Sequence, residues 1–252
     1  MFPLEETSDD AFLGGKLYLF QPLKGYRAAT DPVLLAACCG AGPGQSVLDL
    51  GCGVGAAALC LASRVPGLQL SGLELQPAYA DLARRNAARA GANMEISTGS
   101  VLEMPRELRH NFDHVITNPP YHPPGGTPAH DAGRDVARRE EVSLADWMAA
   151  AVRRVAPGGW LTLIIRTDRL TDALLGLAPR MGSVTVLPFC PRPGRDAGRI
   201  VLRARKSGRG GLRLLAPFVL HEGVAHPGDR DNHSPAAERV FRYGEGLCHL
   251  FD

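Results

Sequence analysis

Ser46-Val47-Leu48-Asp49-Leu50-Gly51-Cys52-Gly53-Val54-Gly55 decides the fold. Its first five residues read as a buried strand, and the alternating glycines lead straight into the helical pattern Ala56–Arg64. A strand that passes through a glycine-rich turn into a helix aims backbone N–H groups and the positive helix end at whatever binds there. Glycine also lets a ligand approach the main chain closely. Glu74 closes the next apolar run about twenty residues later, where a carboxylate can accept both hydroxyls of a ribose. Such a turn can also serve tight packing alone. The downstream acid favours a nucleoside-containing cofactor, with NAD still open on these residues.

Outward from this stretch, short apolar runs alternate with helical patterns, which specifies a parallel sheet covered by helices. Strands are predicted at Ser46–Leu50, Gln69–Glu74, Met94–Thr98, Phe112–Thr117 and 160–166. Helices are predicted at Ala56–Arg64, Pro77–Ala90, 101–108 and 144–155, the last stopped by Pro157-Gly158-Gly159. A helix at 168–180 comes next, then strands at 183–189 and 199–205, close enough to pair as an antiparallel hairpin. Upstream, residues 1–30 read as irregular or short β structure in which Leu17-Tyr18-Leu19-Phe20 supplies a hairpin strand. Thr30 or Asp31 is expected to cap a helix with Pro32 in its first turn, ended by the Gly/Pro cluster at 40–44.

No internal repeat is visible, and the Gly/Pro-rich stretch 123–133 is too short for a linker. The expectation is one domain over 1–252, with an N-terminal segment 1–44, a core 45–206 and an extension 207–252 whose packing partner the sequence does not reveal. With 252 residues and 45% hydrophobic composition the chain can bury a substantial core. A formal net charge of +2 neither supports nor excludes a nucleic-acid partner. The six cysteines, at 38, 39, 52, 60, 190 and 248, show no Cys-x-x-Cys spacing and read as reduced, packed thiols. No apolar run reaches the roughly 18 residues of a membrane helix. The N-terminal MFPLEETSDD is acidic where a targeting signal would be basic, so the protein is expected in the cytoplasm without a membrane partner. His221, His226, His233 and the pair Asp229 and Asp231 match no zinc spacing and read as a surface loop, so no metal is expected.

Asn118-Pro119-Pro120-Tyr121 succeeds the fourth strand, at the carboxyl edge where ligands of open α/β sheets bind. Two prolines fix the backbone, so the amide side chain and neighbouring carbonyls are held as acceptors without further ordering cost. The adjacent aromatic ring can stack on a planar substrate. Asn-Pro-Pro alone is also a turn. That reading leaves its location beside the glycine-rich turn unexplained.

Asp49 to Gly55, Glu74 and Asn118 to Tyr121, in this order and spacing, resemble class I S-adenosylmethionine-dependent methyltransferases of the Asn-Pro-Pro-Tyr type. The resemblance implies a Rossmann-like α/β fold, a mostly parallel seven-stranded sheet with an antiparallel C-terminal hairpin, and it removes NAD. The segment from Gly25 to Ala36 is similar to the first helix of the bacterial tRNA1(Val) (adenine-N6)-methyltransferases, a likeness that spans about residues 14–220 and is strongest over 25–121. This resemblance implies S-adenosylmethionine as cofactor, with Asp49, Gly51, Gly53 and Gly55 around the methionine portion and Glu74 at the ribose. Thr30 and Asp31 would lie over the methionine end. Asn118, Pro119, Pro120 and Tyr121 would hold the target base, Asn118 bordering the cofactor as well. The sequence departs from the family at Gly99-Ser100, where an acid often meets the cofactor adenine. Ser100 or the backbone at Val101 would substitute.

The expected reaction is methylation of the exocyclic N6 of an adenine in tRNA. Protein glutamine N5, guanine N2 and a catalytically silent S-adenosylmethionine- or RNA-binding protein stand as alternatives. RNA docking is expected from Arg192, Arg195, Arg199, Arg203, Arg205, Lys206, Arg209 and Arg213, opposed by the acid Asp196, and from Arg134, Arg138 and Arg139. His122 reads as a loop residue.

Overall fold

The computed structural model describes residues 1–120, 142–177, 180–223 and 232–252. Tyr121, His122, Arg134, Arg138, Arg139, the 123–133 stretch, His226, Asp229 and Asp231 lie outside the described residues. The chain opens with a separate antiparallel hairpin, β1 (Thr7–Phe12) and β2 (Leu17–Pro22), registered from Thr7 opposite Pro22 to Phe12 opposite Leu17. Helix α1 (Thr30–Cys38) leads into the alternating units β3 (Ser46–Leu50), α2 (Ala56–Arg64), β4 (Gln69–Glu74), α3 (Pro77–Ala90), β5 (Met94–Thr98) and β6 (Phe112–Thr117). Then come α4 (Leu144–Arg154), β7 (Val155–Arg166), α5 (Leu170–Leu177), β8 (Met181–Cys190) and β9 (Arg199–Lys206). The two-residue strands β10 (Arg213–Leu214) and β11 (Phe218–Val219), the helix α6 (Pro235–Tyr243) and a 3-10 turn at Cys248–Phe251 follow.

The main sheet runs β5-β4-β3-β6-β7-β9-β8. It is parallel except for β9, which pairs antiparallel with both β7 and β8. The hairpin of β8 and β9 expected from the sequence is present. The structure adds that β9 inserts between β7 and β8, and that β10 and β11 extend the outer edge of β8 in parallel. Alternation along the strands feeds two cores, as a period of two requires. Val47, Ile116, Ile164 and Val201 pack toward α1, α2 and α3, whereas Leu48, Val115, Leu163 and Leu202 pack toward α4 and α5.

Two local expectations are corrected. The pattern at 101–108 forms no α-helix, only a 3-10 turn at Arg106–Leu108. Val101, Met104 and Leu108 are buried at helix-like spacing, but Pro105 adopts an extended conformation (ψ 147°) and disfavours the helical conformation at Met104 before it. At α1 the N-cap is Ala29 with no side-chain cap, and Asp31 turns its carboxylate to Arg199 instead.

The hairpin is joined to the glycine-rich turn by one fully buried side chain. From α3, Asn86 accepts from the Phe20 N–H (2.8 Å) and donates to the Phe20 and Val54 carbonyls (3.0 Å each). Outside it, Arg89 forms a two-point pair with Asp9 (2.7 and 2.9 Å) and lies over the Phe20 ring. Asn86→Ala leaves these main-chain groups without their partner and is expected to cost about 2–4 kcal/mol in urea unfolding. A loss under about 1 kcal/mol would show that the hairpin is held by apolar packing alone.

Candidate active site

Gly51, Gly53 and Gly55 all take left-handed conformations (φ 77°, 56° and 85°) between β3 and α2. At Gly51 an added Cβ would sit 2.8 Å from the Trp147 ring, so a side chain there is excluded by space as well as by backbone conformation. Most of the turn's amides are engaged within the protein. Gly51 and Cys52 N–H donate to the Leu73 carbonyl (2.8 and 2.9 Å), Gly55 N–H to the Cys52 carbonyl, and Gly53 N–H to Glu74 Oε2 (2.9 Å). Those amides are committed within the protein, and the space a side chain would take at Gly51 is filled by the Trp147 ring.

Two buried carboxylates face the same space. Asp49 Oδ2 accepts from Ala58 N–H (3.2 Å) in the first turn of α2. Burial pushes its pKa up to about 7, the Ala58 N–H pulls it back in part, and the nearby Glu74 adds to the rise. Glu74, at the end of β4, accepts from Gly53 N–H and from Gln76 N–H (2.9 Å each). Burial raises its pKa against these main-chain donors.

Asn118 begins the loop after β6 and points Nδ2 at the Tyr26 hydroxyl (3.4 Å), so its Oδ1 is directed away from Tyr26. Tyr26 is itself anchored by a main-chain N–H donating to Tyr79 Oη (2.7 Å). Burial, then the carboxylates of Asp31, Asp49 and Glu74, push the Tyr26 pKa upward and keep the phenol protonated. Trp147 Nε1 donates to Thr117 Oγ1 (2.9 Å), which donates to the Leu50 carbonyl (2.7 Å), and this chain holds the indole over Gly51.

These elements enclose a cavity of ≈ 330 Å³, within the range of small-molecule sites. The structure brings Asp49, Gly51, Gly53, Glu74, Ser100, Asn118, Pro119 and Pro120 together on its wall. Gly55 stands just behind the wall as the N-cap of α2. Asp31 reaches the wall through its ion pair with Arg199 (3.1 Å), and Thr30 lines a different cleft beside the hairpin. Ser100 Oγ accepts from Leu102 N–H (3.2 Å), with Gly99 and Val101 beside it on the wall. Sequence reasoning did not single out Tyr26, Tyr79, Trp147, Arg166 or Arg199 as wall residues. Tyr26 falls within the segment similar to the family's first helix, but Trp147 carries no local motif.

The basic stretch divides. Arg203 is buried between the Trp160 and Phe251 rings (4.7 Å to each centroid), which overturns its reading as an RNA contact. Arg199 lines the cavity. Arg192 and Arg195 lie on the β8–β9 connection at the cavity's edge of the sheet, because Arg199 is opposite Arg166 at the end of β7. Arg205 and Lys206 lie at the far edge, opposite Trp160 and Met181, and Arg209 follows there between Gly208, whose N–H donates to the Arg205 carbonyl, and Gly210, whose N–H donates to Ser183 Oγ, so these three stand away from the cavity. All six cysteines are free, and no group of metal-ligating side chains is found among the described residues. Among those residues, too, no helix is long and apolar enough to cross a membrane.

Asp49 makes folding pH-dependent with a definite sign. The native state keeps its proton up to about pH 7, whereas the unfolded chain releases it near the ordinary value of 3.8. The native state therefore binds more protons in that window, and stability falls as pH rises through it. Asp49→Asn, which keeps an acceptor for Ala58 N–H, is expected to gain on the wild type by about 2–3 kcal/mol between about pH 5 and pH 8, levelling off above 7. Paired denaturant melts across that range measure the difference, and a pH-independent gap would remove Asp49 as its source.

Comparison with known proteins identifies the family. A profile of the methyltransferase small domain matches residues 30–187. The tRNA1(Val) (adenine(37)-N6)-methyltransferase of Porphyromonas gingivalis is 35% identical over 186 residues, 69% of this chain and 72% of that protein. The release factor glutamine methyltransferase of Geobacter sulfurreducens is 32% identical over 148 residues, 54% of this chain and 50% of that one. A crystal structure described as a predicted O-methyltransferase from Agrobacterium tumefaciens aligns with a TM-score of 0.68 and 26% identity, covering 86% of this chain and 97% of that one. The chain therefore belongs to the methyltransferase small domain family, whose class I S-adenosylmethionine-dependent enzymes its glycine-rich turn and Asn118 loop resemble.

Proposed function

We propose that the cavity binds S-adenosylmethionine and that the protein methylates the exocyclic N6 of an adenine in tRNA. The observation that carries the reading is the placement of Asn118 on the wall that also holds Asp49 and Glu74. The residues fit the cofactor: a carboxylate at Asp49 suits a cationic group, Glu74 suits ribose hydroxyls, and Gly51 and Gly53 lie on the same wall. When bound, the cofactor supplies a sulfonium methyl that is already an activated electrophile. Relatives from Porphyromonas gingivalis and Yersinia enterocolitica, the latter 29% identical over 207 residues, are tRNA1(Val) adenine(37)-N6 enzymes and support this choice of substrate.

An exocyclic adenine nitrogen is a poor nucleophile because its lone pair is delocalised into the ring. Asn118 Oδ1 and the Pro119 carbonyl, accepting its two hydrogens, favour a pyramidal nitrogen with the lone pair aimed at the methyl group. The rigid Pro119-Pro120 backbone holds both acceptors in place, so orientation supplies much of the rate. After transfer the proton is acidic and can leave to water, and no side-chain base is required. Tyr121, expected to stack on the base, lies outside the described residues. The second reading is a protein glutamine side chain, whose amide presents the same planar NH₂ to the same acceptors. The Geobacter relative favours it.

Asn118→Ala is expected to keep S-adenosylmethionine affinity while losing about 10²–10³ in kcat, the scale of one preorganised transition-state partner. Asn118→Asp should retain more activity, since an acceptor remains. Single-turnover transfer of labelled methyl to bulk tRNA, with mass spectrometry of the nucleosides afterwards, reads both the rate and the modified base. Near-normal transfer by the alanine variant would reduce the loop to a rigid turn.

The split of the basic stretch gives a separate expectation. Arg192→Ala with Arg195→Ala should weaken tRNA binding and flatten its salt dependence by up to about two units, whereas the paired change at Arg205 and Arg209 should have little effect. Equal effects at both edges of the sheet would separate RNA docking from the cavity.

A further inference from the structure

We propose that Arg166 and Arg199 form the phosphate-recognising end of the substrate site and so select a nucleotide over a protein amide. This selection rests on tRNA being the substrate and names the residues that enforce it. The two arginines are direct register partners at the ends of β7 and β9, and both lie on the cavity wall.

The order of strands separates their role from that of the cofactor residues. Along the carboxyl edge the wall runs from Ser100 after β5, through Glu74 at β4 and the glycine-rich turn after β3, to Asn118 after β6, then Arg166 at β7 and Arg199 at β9. This order matches adenine, ribose, methionine, target amine and then whatever the target carries beyond its base. β9 stands two strands past β6, about 10 Å at ordinary strand spacing. That is the scale on which a nucleotide extends from its exocyclic amine across base and ribose to its phosphate. A glutamine side chain brings no anion to that distance.

Both guanidiniums are held in position by carboxylates. Arg199 Nε meets Asp31 Oδ2 at 3.1 Å, and Arg166 meets Asp168 through Nε and Nη2 (3.1 and 2.7 Å to the nearest oxygens). Asp168 engages the Nε–Nη2 edge of Arg166, while Asp31 and the Gly198 carbonyl (3.1 Å from Nη1) orient Arg199, so each guanidinium, with five N–H donors in all, meets a phosphate as an oriented cation. Their side chains remain 44% and 35% exposed, so a phosphodiester can reach them from the cavity mouth.

The test combines calorimetric affinity for S-adenosylmethionine with initial rates on bulk tRNA at several salt concentrations. Arg166→Ala and Arg199→Ala are each expected to raise KM for tRNA about 5- to 20-fold and to flatten the salt slope by about one unit. Cofactor affinity should stay within about twofold and kcat within a few-fold, because neither guanidinium touches the reacting atoms. Arg199→Lys keeps the charge without the fork and should fall between, and Arg209→Ala at the far edge should match the wild type. If Arg199→Ala does not fold once its ion pair with Asp31 is gone, Arg166→Ala, whose pair is at the surface, decides the matter. Cofactor affinity reduced tenfold or more with an unchanged KM for tRNA would assign the arginines to the cofactor's carboxylate and overturn the proposal, as would no change in either. Methyl transfer by the wild type to a glutamine-bearing peptide and not to tRNA would show in the unmutated protein and overturn the tRNA reading and this proposal together.

Discussion

Two carboxylates taken out of water, Asp49 and Glu74, set the constraint around which the site is arranged. A buried carboxylate without donors is strongly destabilising, and each of these receives main-chain N–H groups from the segment it borders. Ala58 donates to Asp49, and Gly53 and Gln76 donate to Glu74. The first turn of α2, the glycine-rich turn and the approach to α3 are thereby fixed by the same carboxyl groups that face the cavity. Bringing Gly53 N–H to Glu74 while Gly51 and Cys52 reach the Leu73 carbonyl requires left-handed backbone at alternate positions, and this is why the segment reads Gly-Cys-Gly-Val-Gly. Desolvation that depresses ionisation here persists at an energetic cost typical of binding sites.

Sheet topology extends this local arrangement along one edge of the sheet. β3 pairs with β4 on one side and β6 on the other, so successive connections diverge at β3 and open a crevice at its carboxyl end. Asp49 lies on β3, Glu74 on its neighbour β4, and Asn118 just past its other neighbour β6. Trp147, from α4 on the opposite side of the sheet, closes over Gly51 through the Thr117 hydroxyl. The wall is thus drawn from segments more than ninety residues apart in sequence, yet adjacent because the strands are.

What is legible in the sequence obeys short-range rules. Glycine spacing, a strand-terminal acid and an asparagine before two prolines are patterns within a few residues, and they locate most of the cavity wall. Trp147 and Arg199 escape such rules because their positions depend on helix α4 crossing the sheet and on β9 inserting antiparallel between β7 and β8, neither of which has a local signature. At 101–108 the spacing of Val101, Met104 and Leu108 satisfies a helical period while Pro105 forbids the helix, so the apolar pattern misleads where the breaker prevails. Arg203 resembles surface charge because a strand of alternating Arg and apolar residues does not show which face is covered. Here Trp160 and Phe251 cover it.

Phe251 also explains what the C-terminal extension contributes. Its ring lies on Arg203, its carbonyl accepts from Arg213 Nη1 (3.0 Å), and a little upstream Leu247 N–H donates to the Ala37 carbonyl (2.7 Å) while Cys248 Sγ donates to the Cys39 carbonyl (3.0 Å). These contacts satisfy carbonyls at the C-terminal end of α1, which otherwise lack helical partners. They also surround a buried cation: Arg203 passes within 3.0 Å of where a Gly40 side chain would begin, and burial with that charge pushes His114 down to about 4. α1 is buried from Pro32 to Cys38, and its first turn carries Asp31 into the ion pair with Arg199 on the cavity wall. A segment that grips the far end of α1 therefore fixes a charge pair at the mouth of the site without touching it.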